Sequence, residues 1–129
     1  MIVLPIKRKW FDMIKSGEKK EEYREIKPYY NKCLGNEVIG FPFTDTIVEN
    51  FKSIKEYDKN QFKDIEIVFR NGYRGDSPKV KCKCKLRVGQ GKEKWGAEPN
   101  KEYYILEILK IVGGEDETSN DKLYETRKK

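Results

Sequence analysis

The stretch Gly17-Glu18-Lys19-Lys20-Glu21-Glu22-Tyr23-Arg24 is the most informative in the chain, because it marks the point where a helix gives way to a strand. Before it, residues 1–6 predict an apolar strand, and the apolar residues of 10–15 recur at helical spacing. Gly17 stands where a helix C-cap belongs, since glycine adopts a positive φ at little steric cost. After it the period becomes two, so Glu22 and Arg24 share one face of a strand. The chain is therefore predicted to begin with a β–α–β unit. The stretch places two cations, Lys19 and Arg24, close to the carboxylate of Glu22.

A second stretch, residues 79–94, carries all of the excess positive charge. It holds seven of the chain's 28 cationic residues and one of its 22 acidic residues, so the remainder of the 129 residues is neutral. Apolar residues at every second position predict a half-buried strand whose other face bears cations about 7 Å apart. These cations are Lys79, Lys81, Lys83, Lys85 and Arg87.

This cationic row has two interpretations. Lysines can protect a sheet edge against aggregation, but five in a row exceed what that protection needs. The spacing is close to the phosphate repeat of an extended nucleic-acid strand. The row therefore predicts an electrostatic track for a nucleic-acid backbone.

The order of the motifs resembles the ASCH domain, a small β-barrel related to the PUA domains that bind RNA. Besides residues 17–24, the resemblance is carried by Phe69-Arg70-Asn71-Gly72-Tyr73 and by Gly91…Trp95-Gly96-Ala97-Glu98-Pro99 followed by Tyr103-Tyr104-Ile105-Leu106. These later segments are similar to those of a bacterial and phage-type branch, and the resemblance covers most of residues 1–112. It implies a cleft that faces nucleic acid, with hydrolase activity in some members, and it leaves the substrate open.

We expect an α+β fold, a small PUA-like β-barrel of five or six strands with one or two packed helices. The predicted domain covers residues 1–112, and residues 113–129 form a polar, flexible tail. Relative to the family pattern, residues 35–63 are an insertion, with a helix near 46–58 that begins at the capping box Thr46-Ile47-Val48-Glu49. Residues 28–34 predict a short helical turn and residues 38–43 a brief strand.

Lys19, Glu22 and Arg24 are the predicted site residues. Taken alone, Glu22 and Arg24 would be a surface ion pair worth less than about 1 kcal/mol, but the resemblance favours a site. Arg24 suits a phosphate or a base edge through its forked donors, and Lys19 adds a point charge. In a family branch that hydrolyses acylated nucleosides, the motif lysine acts with a threonine three residues later, where this chain has Glu22. If the chain is an enzyme, its predicted catalytic pair is therefore Lys19 and Glu22, acting as acid and base.

Aromatic side chains supply the predicted stacking surfaces. Tyr29 and Tyr30 follow the motif strand, and Trp95 lies in a glycine-rich loop where no periodic pattern requires burial. We expect these three to stack on a base. Because related barrels insert a flipped or modified base into such a pocket, recognition of a single-stranded or modified base is the more specific hypothesis.

Composition narrows the remaining choices. Histidine is absent, and Cys82 and Cys84 share the apolar face of a strand, so we expect core thiols and neither a metal nor a cofactor. With Cys33 they are too few for a disulfide framework, which makes a reducing cytoplasm the expected compartment. Without a long apolar run or a signal peptide, we expect no membrane partner.

The sequence thus predicts binding of RNA or another nucleic acid by a basic cleft. One alternative is a metal-independent hydrolase that acts on RNA or a modified nucleoside at Lys19, Glu22 and Arg24. The other is an inhibitor-like protein-interaction module of phage origin, which would bind an acidic partner through its basic face and use the helix at 46–58.

Overall fold

The computed structural model of the protein describes residues 2–52 and 64–114. Its elements follow the chain order β1-α1-β2-α2-α3-β3-β4-β5. The strands are β1 (Ile2–Pro5), β2 (Glu21–Glu25), β3 (Ile65–Arg70), β4 (Lys79–Gln90) and β5 (Glu102–Gly114). The helices are α1 (Arg8–Ser16), α2 (Pro28–Ile39) and α3 (Asp45–Lys52), and a 3₁₀ turn spans Glu93–Trp95.

The five strands form one sheet in the order β1-β3-β4-β5-β2, curled into a half-barrel that does not close. β1 pairs with β3 in parallel, and the other three neighbouring pairs are antiparallel. The α+β class and the curled five-stranded sheet are confirmed. The described residues contain three helices, where one or two were expected.

The hydrophobic core lies between the three helices and one face of the sheet. β4 shows the predicted period of two, because every second side chain from Val80 to Val88 is buried in this core. The helices contribute Phe11, Ile14, Leu34, Val48 and Phe51. A second, smaller cluster is formed by Ala97, Tyr103 and Ile105, with Tyr23 packed against it.

The junction between α1 and β2 forms as the sequence predicts. Gly17 caps α1 with φ 86°, and its N–H donates to the carbonyl of Ile14 at 3.1 Å. A side chain at this φ would be strained, which accounts for the glycine. The turn that follows delivers Glu22 and Arg24 to one face of β2.

The predicted strand at 38–43 is wrong, because α2 continues through Ile39 and ends at Gly40, which has φ 85°. The chain then doubles back past Gly35, where an added Cβ would lie 2.5 Å from the backbone nitrogen of Phe43. Val38 and Ile39 pack against the core from the last turn of the helix instead of from a strand.

The helix predicted at 46–58 overlaps α3, and its residues 53–58 lie outside the described part of the chain. The backbone N–H of Ile47 donates to Thr44 Oγ1 at 3.2 Å, so Thr44 provides the cap that was assigned to Thr46. At the other end of the chain, Gly113 and Gly114 still belong to β5, and residues 115–129 are not described.

Three compositional expectations can be compared with the structure. None of the helices in the described ranges is long and apolar enough to span a membrane. Cys33, Cys82 and Cys84 are free thiols, and the latter two are buried in the core. Within residues 2–52 and 64–114, no three His, Cys, Asp or Glu side chains are placed to hold a metal ion.

The buried thiols of β4 should make stability depend on pH in the alkaline range. Burial raises the pKa of Cys82 from 9.0 to about 11 and raises the pKa of Cys84 as well. Because an unfolded thiol ionises near pH 9, the folded state binds more protons above that pH, and stability falls as pH rises toward the folded pKa. Burial lowers the pKa of Lys19, so its titration makes stability rise with pH between its folded pKa and 10.5, which opposes the effect of the thiols.

The contribution of one thiol can be isolated by comparing urea unfolding of the wild type and of Cys82→Ala from about pH 8 to about pH 11. We expect the wild type to lose more stability than the variant over this range, by at most about 1.4 kcal/mol per pH unit. Parallel curves would mean that Cys82 does not titrate differently in the two states.

Candidate nucleic-acid interface

The motif residues Lys19, Glu22 and Arg24 form a buried ion network. Glu22 places Oε1 3.2 Å from Lys19 Nζ and Oε2 2.8 Å from Arg24 Nη2. The exposed fractions of the Lys19, Glu22 and Arg24 side chains are 0%, 9% and 11%. The interpretation as a surface ion pair is therefore wrong. Two cations share one carboxylate, which leaves one unit of positive charge in excess.

The side chain of Lys19 is fully buried. Its Nζ donates to the carbonyl oxygen of Trp95 at 2.6 Å, and it lies 4.9 Å and 5.0 Å from the ring centroids of Trp10 and Tyr23. Burial lowers the pKa of Lys19, and Glu22 opposes this effect. The side chain is not exposed, although Lys19 is among the residues that line a second cavity of about 200 Å³ between α1 and β5.

Arg24 bridges the open seam between the two edge strands of the half-barrel. Its Nη2 donates to the carbonyl of Pro5 on β1 at 2.8 Å, and its Nη1 donates to the Tyr30 hydroxyl at 3.1 Å. Burial works against its charge, but Glu22 and Tyr30 outweigh that effect and raise the pKa of Arg24. Its Nε is buried and finds no acceptor among the described residues.

A cavity of about 460 Å³ opens beside Arg24, at the end of β1 and next to the turn between β3 and β4. Tyr73 of that turn is 82% exposed, and Tyr29, whose ring meets Tyr30 edge-on at 5.0 Å, is 63% exposed. The cavity is lined by Pro5, Ile6, Lys7, Arg24, Tyr30, Asn71, Gly72 and Tyr73. Its volume is within the usual range for small-ligand sites, about 300–1,000 Å³.

Trp95 is 6% exposed, so the expectation that its loop leaves it outside the core is wrong. Its carbonyl is bound by Lys19, and Gly91 and Gly96 let the loop approach its neighbours closely. A Cβ on Gly91 would lie 2.5 Å from the Tyr23 ring. The loop therefore covers β2, and Trp95 does not present its ring to a base in this structure.

The cationic row lies on β4, which is the central strand of the sheet, so edge protection does not explain it. Lys85 pairs with Asp64 at 2.9 Å and Arg87 with Glu21 at 2.6 Å. These two residues of the row are therefore engaged in ion pairs within the fold.

The remaining cations of the row differ in how far they are engaged. Lys79 donates to the carbonyl of Gly75 at 2.6 Å. Lys81 and Lys83 have no ion pair within residues 2–52 and 64–114, and Lys83 lies between Glu66 of β3 and Lys110 of β5. These lysines are the cations of the row that could meet a phosphate without breaking an existing contact.

The cavity and the first residue of the cationic row both lie near the turn between β3 and β4. Arg70, at the end of β3, lies opposite both Pro5 and Lys79, the first residue of the row. Arg24 and Tyr30 line the cavity on the core side of the sheet, where Arg24 lies opposite Tyr104, whereas the row alternates with the core residues of β4 and lies on the other face. Lys19, Glu22 and Trp95 are buried.

Sequence reasoning missed Lys7, Asn71 and Tyr73. The Asn71-Gly72 turn lies in a segment that carried the resemblance, so a signal existed for two of them. Lys7 follows β1 and is one of many exposed lysines, and nothing in its local sequence singles it out.

The chain was also compared with protein-family models, with curated proteins and with solved structures, and none of the three comparisons finds a match. The resemblance to the ASCH family therefore stays a prediction that rests on the motif residues.

Proposed function

We propose that this protein binds single-stranded nucleic acid at the cavity beside Arg24 and along the free lysines of β4. The observation that carries the proposal is the position of this cavity. It is lined by an arginine and two tyrosines, and it borders the turn that leads into β4, the strand that bears the cationic row. Single-stranded nucleic acids are typically bound by a basic groove for the backbone together with aromatic rings for the bases.

Each part of this surface has a role that its contacts support. Lys81 and Lys83 would neutralise backbone phosphates, because neither is engaged in an ion pair with another described residue. Tyr29 and Tyr73 are exposed enough to stack on bases at the rim. Arg24 would contact the ligand inside the cavity.

Lys19 and Glu22 are positioning residues in this proposal. Glu22 holds Arg24 through an ion pair, Lys19 pairs with the other oxygen of Glu22, and the side chains of both are shielded from solvent. The hydrolase alternative has less support, since the side chains of its predicted acid–base pair are buried in this structure.

Membership of the ASCH family, with a PUA-like barrel, is part of the same proposal. It is supported by the junction of α1 and β2 at Gly17, which carries the motif, and by the curl of the five-stranded sheet. The buried carboxylate between two motif cations supports it further, because it explains why those residue types occur at that spacing.

Fluorescence anisotropy with labelled single-stranded RNA, single-stranded DNA and duplexes across a salt series tests the proposal. We expect single strands to bind more tightly than duplexes, with a log–log salt slope of about −0.7 per neutralised phosphate. Tyr73→Ala should weaken binding by about 1–3 kcal/mol if a base stacks there.

Tyr73→Phe is the matched control, because it keeps the ring and should retain most of the affinity. Phe41→Ala removes another exposed aromatic that does not line the cavity, and it should leave binding unchanged. Absence of binding to any single strand at low salt would contradict the proposal.

A further inference from the structure

Three main-chain carbonyls at the cavity beside Arg24 already accept a hydrogen bond each. The carbonyl of Pro5 accepts from Arg24 at 2.8 Å, and the carbonyl of Ile6 accepts from Asn71 Nδ2 at 3.1 Å. The carbonyl of Gly72 accepts from Arg70 Nε at 3.0 Å. No carboxylate is among the lining residues in the described part of the chain. A ligand that needs acceptors would find few here.

Donors, in contrast, are in surplus. Arg24 has five N–H groups, of which the contacts with Glu22, Pro5 and Tyr30 use three, and since Nε is buried, one N–H on Nη1 is left for a ligand. The Tyr30 hydroxyl accepts from Arg24 and so keeps its own proton to donate. Lys7, exposed at the rim, adds an ammonium group. The buried network of Lys19, Glu22 and Arg24, next to the cavity lining, carries excess positive charge.

Two helices begin next to the cavity with uncapped N-termini. Lys7 is the N-cap of α1 and also lines the cavity, and Tyr30 lies in the first turn of α2, whose N-cap is Lys27. Neither N-cap makes a side-chain hydrogen bond, and neither first turn contains an acidic residue. The positive ends of both helix dipoles thus add to a field that favours an anion.

We propose that the cavity binds the phosphate group of a nucleotide, with the attached sugar and base extending toward Tyr29 and Tyr73. A phosphate offers only acceptors and negative charge, which matches a lining of free donors. This inference rests on the proposed function, since it names the part of the strand that enters the cavity. The phosphate is either a terminal monoester or an internal diester of the strand, and the experiment distinguishes them.

The test compares binding of one short single-stranded oligonucleotide with a 5′-phosphate, with a 3′-phosphate and with free hydroxyls at both ends. A nucleoside 5′-monophosphate, its parent nucleoside and inorganic phosphate are titrated by calorimetry alongside. We expect the monophosphate to bind roughly tenfold or more tightly than the nucleoside, as charge-assisted hydrogen bonds require. A terminal phosphate that enters the cavity should strengthen oligonucleotide binding to a similar degree.

Lys7→Gln and Tyr30→Phe are the cavity variants, and Lys32→Gln is the control that removes an exposed charge of α2 outside the lining. Both cavity variants should reduce the advantage of the monophosphate several-fold, and the control should not. Near-ultraviolet circular dichroism establishes that each variant is folded. Because a phosphate monoester gains its second charge near pH 6, binding of the monoester should weaken below that pH while binding of a diester does not.

The outcomes separate this inference from the proposed function. If oligonucleotides bind regardless of terminal phosphate, and Lys7→Gln and Tyr30→Phe bind like the wild type, the phosphate site is refuted and the proposed function stands. If only the cavity variants weaken binding of unphosphorylated oligonucleotides, the ligand is an internal diester. If monophosphates bind but no strand does, the phosphate site stands and the proposed function falls.

Discussion

Replacing Glu22 by glutamine is expected to lower the free energy of unfolding by about 3–5 kcal/mol, because it leaves two buried cations without a counter-charge. Glu22 is the carboxylate within reach of both Lys19 and Arg24 in the described structure, at 3.2 Å and 2.8 Å. The glutamine keeps the size of the side chain and part of its hydrogen bonding. The loss would therefore report the uncompensated charge and not a cavity.

Glu25→Gln is the matched control for this experiment. Glu25 lies on the same strand and also pairs with two lysines, Lys27 and Lys101, but it is half exposed. Removing its charge should change stability far less than Glu22→Gln does, because solvent screens exposed ion pairs. Urea unfolding of both variants measures the difference. Similar small losses would mean that the network is hydrated and that Lys19 does not need Glu22.

A second substitution localises the effect. Lys19→Met in the Glu22→Gln background removes one of the two unpaired cations, so it should recover part of the lost stability. In the wild-type background the same change removes the hydrogen bond to the Trp95 carbonyl and should be destabilising. The double-mutant cycle gives the coupling between the two residues directly.

Local pattern was enough to predict the elements that contain the motif. Gly17 ends α1 because only a residue without Cβ adopts its φ cheaply, and the period of two in β4 emerges as alternate burial from Val80 to Val88. In both cases the signal lies within a few residues of the structure that it predicts. That is where steric preference and hydrophobic periodicity act most strongly.

The order of the strands was not predictable in this way. β4 lies at the centre because β1 pairs with β3 and β2 pairs with β5, and both pairings join segments far apart in the chain. The same reason applies to Lys19. Nothing in a polar stretch signals burial, and the group that binds its ammonium, the Trp95 carbonyl, is 76 residues away.

The candidate site was therefore predicted in part. Arg24 and Tyr30 line the cavity, and their residue types indicated a role in binding. Trp95 was expected at the surface because its loop is rich in glycine. The composition of the loop does not reveal that buried Lys19 donates to the Trp95 carbonyl and fixes the loop against the core. Lys7 and Tyr73 become visible as site residues only once the turn between β3 and β4 is folded against the end of β1.

The double substitution Lys81→Glu/Lys83→Glu is expected to weaken binding of a single strand by on the order of 100-fold near 0.1 M salt. Each phosphate contact on a single strand contributes a salt slope of about 0.7, which at that salt concentration corresponds to about fivefold in affinity. Two lost contacts give about 25-fold, and the two introduced carboxylates add repulsion. Anisotropy titrations at several salt concentrations should also show the slope reduced by about 1.4.

Lys20→Glu/Lys32→Glu is the control that makes this result interpretable. It lowers the net charge of +6 by the same four units, but its residues are exposed away from β4. A non-specific charge effect would weaken both double variants equally and would refute the role of the row. A loss of affinity and slope confined to Lys81→Glu/Lys83→Glu would mean that phosphates lie along the centre of the sheet. The bound nucleic acid would then have to pass around the turn between β3 and β4 to reach the cavity, because the row and Arg24 lie on opposite faces of the sheet.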